Sequence, residues 1–278
     1  MNKQLPKEAY SKFWDFYTTE PFEGCPIVSY EKYQYDSKVC IGQFYNDMEE
    51  DFTREILNSL NRFSHEINVV EIWSKYIFPK YTEEEQFELS YYFLELPLDY
   101  CLNQPQRIRD RIIYASTHLC HQANINKKNQ DYKDDLVDNY KINLDQLAKR
   151  CKPWNAKSIL KKSLKQIASK DYINKTLNYR NKSHHRVPPS LEYGTTNFIS
   201  RIGYQENTFE YKTFENGVEV TKEKTTKGVA YSFGGTPPLT SKELIPLFKE
   251  QFDLLNIALQ AYWSLIVEHQ TYAKKDKK

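Results

Sequence analysis

The residues best suited to chemistry stand together at Arg180-Asn181-Lys182-Ser183-His184-His185-Arg186, directly before Val187-Pro188-Pro189. Arginine stays charged and presents forked donors that match phosphate oxygens. Histidine exchanges a proton near neutrality, as base or as acid. This stretch therefore offers an anion site with proton transfer beside it. On an uninterrupted helix His184 shares the face of Arg180, four positions earlier, and His185 is turned about 100° further round. Pro188 disfavours α geometry at Val187, so unwinding towards it would bring His185 to bear instead. The plain alternative is a polar helix end, where the helix dipole favours Arg180, His184, His185 and Arg186 as cations.

Stepping down the chain, residues 155–184 read as one long basic helix that ends in this cluster, with Ile159, Leu160, Leu164, Ile167, Ala168, Tyr172, Ile173 and Leu177 on its apolar face. Charge is polarised: residues 141–186 hold 13 Lys+Arg against 2 Asp+Glu, whereas residues 1–100 hold 9 against 19. A basic segment of that density suits phosphate, although solvated lysines give the same count. Earlier in the chain, helical spacing predicts a helix from Asn46 to about Phe78 with Asp47, Glu49, Glu50 and Asp51 in its first turn. A second starts at a capping box, Thr82 to Glu85, and runs to about Cys101; a third starts near Pro105. Residues 126–135 form a polar connector, and a weaker helix leads to Cys151.

After the two prolines the periodicity changes to two. Thr208–Phe214 and Val218–Thr225 predict a β-hairpin turning at Asn216-Gly217, with a third short strand over Gly228–Phe233. Its aromatic residues, Phe209, Tyr211, Phe214, Tyr231 and Phe233, are expected to pack on the body, a base-stacking platform being the alternative. A last long helix starts at Thr240 or Ser241. The expected fold is all-α: one domain over residues 1–278, a bundle of about five long helices with an N-terminal arm (1–46), a small β insertion (190–238) before the last helix and a disordered tail (274–278).

The order Arg180-Asn181, then His185 five residues after the arginine, close to the end of the helix preceding the last one, resembles the motif of the HEPN superfamily of α-helical bundles. The resemblance implies a metal-independent endoribonuclease acting by 2′-OH transesterification. It places Arg180, His185, Asn181 and His184 at the catalytic centre, with Lys182, Arg186, Lys175 and Arg111 on the RNA. It implies no cofactor, a homodimer with a composite active site, a role as toxin or defence effector, and an antitoxin or regulator as partner. The alternative within the same fold is an inactive RNA- or nucleotide-binding or dimerisation scaffold.

His118-Leu119-Cys120-His121 puts two histidines on nearly one helical face, yet no third ligand is evident and no metal is expected. Arg107, Arg109 and Arg111 alternate and cannot share one face, but they add positive charge near the motif if their helix neighbours it. The five cysteines show no CxxC spacing, which suits a reducing cytosol. No Walker loop or glycine-rich dinucleotide turn is present, and no run reaches the apolar length of a membrane span, so a cytoplasmic protein is expected.

Overall fold

Helical periodicity in the three longest amphipathic segments dictates the centre of the molecule. The computed structural model describes residues 4–34, 41–128 and 134–276. In chain order these form α1 (Leu5–Thr19), α2 (Gln43–Ile72), α3 (Glu83–Phe93), α4 (Glu95–Lys128), α5 (Leu144–Arg150), α6 (Lys157–Gln166), α7 (Lys170–Lys175), α8 (Tyr179–His185), strands β1 (Thr196–Glu215) and β2 (Val218–Thr236), and α9 (Ser241–Asp276). Helices α2, α4 and α9 pack on one another. Leu60, Phe63 and Ile67 of α2, Ile108, Ile112 and Leu119 of α4, and Leu255, Leu259 and Ile266 of α9 recur at three- and four-residue steps or their multiples and are fully buried. Each such side chain contributes about 1.5–3 kcal/mol of burial.

The N-terminal segment lies against α2. Asn68 pairs through its amide with both backbone groups of Cys25, at 2.7 and 3.0 Å, and Asn61 does the same for Val28, at 2.7 and 3.1 Å. Two asparagines seven residues apart thus replace a neighbouring strand for an extended segment. A Cβ at Gly24 would fall on the Asn68 amide, which is why glycine stands there.

A five-helix all-α bundle with a small insertion is not what forms. The expected basic helix of residues 155–184 is three short helices, α6, α7 and α8. Nor does Pro105 start a helix. It lies inside α4, because Leu98, Cys101 and Leu102 before it and Ile108 and Ile112 after it bury on the same side and outweigh one lost backbone bond. The actual break is at Leu94. Helix α2 begins at Gln43, which moves the acidic residues beyond the first turn, and ends through a π turn, Trp73–Ile77.

The insertion is a two-stranded antiparallel ribbon with strands of 20 and 19 residues, and the expected third strand is part of β2. The Asn216-Gly217 turn has both residues at positive φ, 51° and 83°, as a type I′ hairpin requires. Phe209, Tyr211, Phe214, Tyr231 and Phe233 are exposed, so the expected packing on the body does not occur. Of the expected tail, residues 274–276 belong to α9, and 277–278 lie outside the described residues, as do Cys40 and residues 129–133 of the polar connector. Among the described residues no helix is long and apolar enough to cross a membrane.

Glu49, expected in the first turn of its helix, is 1% exposed and lies in the α2–α9 interface. It accepts a hydrogen bond from Thr53 Oγ1 at 2.9 Å, and that hydroxyl lies 3.1 Å from Tyr262 Oη. Its second oxygen has no hydrogen-bond partner among the described residues. Burial pushes its carboxyl up to about 7, the Thr53 hydrogen bond opposing the shift. An unfolded chain loses this proton near the ordinary glutamate value, so folded protein binds more protons between about pH 4.5 and 7 and stability falls as pH rises through that window. Glu49→Gln is expected to raise stability at pH 8 by roughly 2–3 kcal/mol, with the gain shrinking towards pH 5. Denaturant unfolding at both values checks this, and an equal effect at both would refute it.

Candidate functional site

The segment carrying the Arg and His residues leaves helical geometry twice, and each departure is anchored. After α6 the chain passes Ile167 in extended conformation and Ala168 at φ 47°. Ser169 then caps α7 by accepting from the Tyr172 amide. Helix α7 ends in a Schellman arrangement: Asn178 N–H donates to Ile173 O at 2.7 Å and Leu177 N–H to Asn174 O at 3.0 Å. Leu177 and Asn178 both take left-handed geometry, at φ 52° and 55°. Asparagine tolerates it, whereas a β-carbon of leucine type costs about 1–2 kcal/mol there.

Neighbouring helices hold these turns. Arg109 of α4 donates to Ile167 O at 3.3 Å, and the Gln251 carbonyl of α9 accepts the Ala168 N–H at 2.7 Å. Tyr172 donates to Leu102 O at 3.3 Å and Tyr179 to Asp99 Oδ1 at 3.0 Å. Burial, and for Tyr179 also the Asp99 carboxylate, holds both phenols above the ordinary tyrosine range, so they act as donors. Upstream, the Glu268 carboxylate accepts the amides of Asn155 and Ala156 at 2.8 and 3.0 Å and fixes the start of α6.

The result is a pocket of about 500 Å³ walled by Leu102 and Gln106 of α4, by Tyr172, Thr176 and Asn178, and by Arg180, Asn181, His184 and His185 of α8. The four residues expected at a catalytic centre therefore open onto one space. Helix α8 keeps its geometry through His185, and the chain departs only at Arg186. Unwinding before His185 is thus not what brings it in. Both imidazoles line the pocket, with ring centroids 6.4 Å apart. Arg180 also lines an adjoining pocket of about 500 Å³ with Arg107, Arg111, Glu55 and Asp110. Its Nε is buried without a hydrogen-bond partner among the described residues. The Arg180 side chain lines both pockets, and a guanidinium suits an anion such as phosphate.

Of the four residues expected on RNA, only Arg111 reaches these pockets, where its guanidinium bonds Ser59 Oγ. Lys182 and Arg186 line neither, and Lys175 is exposed and paired with Asp171 at 2.7 Å. Sequence reasoning missed Gln106, Tyr172 and Asn178, whose separate apolar or polar contexts carry no signal. Arg107 could have been grouped with Arg111 through their i, i+4 spacing. Arg109 points elsewhere, to Asp110 and Ile167.

The second candidate, His118 and His121, is a packing feature. His118 tilts against Tyr114 with ring centroids 4.4 Å apart, and burial lowers its proton affinity. His121 is 2% exposed with Nε2 3.0 Å from Asp134 Oδ1; burial outweighs that carboxylate and keeps the ring neutral, donating to it. Among the described residues no group of three or more His, Cys, Asp or Glu side chains could hold a metal ion.

The left-handed turn before Arg180 generates a direct test. Asn178→Gly is expected to match or exceed wild-type stability and Asn178→Val to lose about 1–2 kcal/mol, measured by denaturant unfolding. Equal stability of the two variants would contradict the strained turn. Comparison with known proteins leaves the chain on its own ground: no family model, no curated protein and no solved structure matches it.

Proposed function

We propose that the chain is a HEPN-type endoribonuclease that cleaves RNA without a metal ion. The observation that carries this reading is one pocket lined by Arg180, Asn181, His184 and His185 together. Internal transesterification needs three services. One imidazole takes the proton of a ribose 2′-OH as its oxygen bonds to phosphorus. The other gives a proton to the 5′ oxygen as the P–O5′ bond breaks. Arg180 holds the negative charge that grows on the phosphate oxygens. The reaction leaves a 2′,3′-cyclic phosphate and a 5′-hydroxyl. We assign His185 and His184 to the two proton transfers and Asn181 to orienting an imidazole or a phosphate oxygen.

The same reading carries a homodimer with a second motif across the two-fold axis, a cytoplasmic setting, and a role as toxin or defence effector held in check by an antitoxin or regulator. Incubating the full chain with single-stranded RNA in EDTA tests the activity. Cleavage is expected, and Arg180→Ala or His185→Ala should lower its rate by roughly 10²- to 10⁴-fold, the scale of a lost acid–base or charge-stabilising group. Intact RNA, or cleavage unchanged in both variants, would overturn the proposal and leave a binding scaffold.

A further inference from the structure

Two cysteine sulfurs meet where α4, α5 and α9 converge. Cys120 of α4 and Cys151, the residue that caps the end of α5, are free thiols with Sγ atoms 2.7 Å apart. They are 0% and 1% exposed. Non-bonded carbon atoms settle about 3.5–4.0 Å apart and sulfur is larger, so the pair lies inside contact distance. A disulfide bond is about 2.05 Å long, and closing one asks these sulfurs to approach by only ~0.7 Å.

Hydrogen bonds on both sides fix Cys151 against Cys120. Asn124, one turn beyond Cys120 on α4, brackets it: Nδ2 donates to Arg150 O at 2.8 Å, and Oδ1 accepts from Trp154 Nε1 at 3.0 Å. Cys151 N–H donates to Leu147 O at 2.9 Å, and its carbonyl accepts from Trp154 N–H at 3.0 Å. His269 of α9 closes the cluster. Its Nε2 lies 3.8 Å from Cys120 Sγ, its Nδ1 2.7 Å from Tyr45 Oη, and its ring against Trp154. Burial keeps His269 neutral and pushes the Cys120 thiol up, so Cys120 rests as a thiol and no imidazolium activates it.

We propose that Cys120 and Cys151 are an oxidisable dithiol that closes to a disulfide on reaction with a small hydroperoxide, tying α4 to the end of α5. One sulfur, as its thiolate, attacks a peroxide oxygen: an S–O bond forms, the O–O bond breaks, and the departing oxygen takes the thiol's proton and leaves as water or alcohol. The second sulfur then attacks the first: the S–S bond forms, the S–O bond breaks, and the hydroxyl leaves as water with the second proton. Two thiols give up two electrons and the hydroperoxide takes both. In a reducing compartment the pair stays open and closes only under oxidant. Burial admits the oxidant only as the region opens locally, which favours a small peroxide over a bulky reagent and makes closure slow beside that of an exposed, activated cysteine. The bond closes the chain over residues 121–150, the stretch that holds the polar connector. None of this chemistry draws on the RNA-cleaving site.

The test uses the full chain carrying Cys40→Ser, which leaves the four described cysteines. The folded protein is treated overnight with hydrogen peroxide in an amount that fully oxidises free dithiothreitol. It is then quenched with catalase, unfolded, alkylated with N-ethylmaleimide and read by mass spectrometry. The chain is expected to lose two of its four labels, with Cys25 and Cys101 keeping theirs. Tryptic segments 112–127 and 151–157 should be recovered joined, lighter by two hydrogens than the free peptides together. Dithiothreitol should restore both labels. Cys120→Ser and Cys151→Ser, each treated in the same way, should keep all three remaining labels. Four labels retained in the parent chain overturns the proposal. So does a link between other cysteines in place of this one, or conversion of these sulfurs to sulfinic or sulfonic acid without the link.

Discussion

Backbone groups that leave a helix inside a protein must find new partners, and that constraint shapes the segment that carries the candidate site. Within ten residues the chain breaks at Ala168 and again at Leu177-Asn178. Each break frees amides and carbonyls that need partners outside the regular helix ladder. Arg109 of α4 and Gln251 of α9 meet that demand at Ile167-Ala168, the Schellman bonds meet it at Leu177-Asn178, and the Tyr172 and Tyr179 hydroxyls tie the segment to α4. Side chains that would otherwise be ordinary polar decoration thereby fix α8 on α4. Without the breaks, a straight 30-residue helix would run along the body and carry its histidines away from Gln106 and Leu102. The strain at Leu177 is the local cost of bending the chain so that Arg180 turns inward.

The long helices α2 and α9 could be read directly, since each repeats apolar residues at helical spacing over eight turns or more, whereas α4 reads as two helices divided at Pro105. The cluster Arg180 to His185 could be read too, because residue type and spacing alone single it out. Its surroundings could not. Residues 155–184 keep helical periodicity across both breaks and contain neither glycine nor proline between Pro153 and Pro188, so nothing local marks a bend. The first break is tertiary: Gln251 and Arg109, far along the chain, satisfy the backbone freed at Ile167-Ala168. Pro105 misled in the opposite sense, where buried neighbours on both sides keep a helix going through a residue that normally starts one. The β ribbon was under-read because its proximal half, with Gly203, Gly228, Gly234 and Gly235, looks like loop rather than strand.

Charge density proved a weaker guide than charge without a partner. Lys175, Lys149 and Lys141 of the basic segment are each paired with an aspartate, at 2.7, 2.7 and 2.8 Å. Arg180, by contrast, has a buried Nε with no partner among the described residues, and its side chain lines two pockets. Three cavities share residues around α4, so the acidic N-terminal half of the chain contributes arginines and aromatic rings, and the basic half contributes histidines, to one continuous surface. N-terminal residues that had looked like an arm on the body, Phe13, Trp14 and Tyr17 among them, wall part of that surface.

The central claim is chemical: paired imidazoles and a guanidinium drive attack by a ribose 2′-oxygen. The ends of the RNA fragments record that step. Mass spectrometry of RNA digested by the full chain should find 2′,3′-cyclic phosphate on one side of each cut and a 5′-hydroxyl on the other. Fragments ending in 3′-hydroxyl and 5′-phosphate, or RNA left whole, would contradict it.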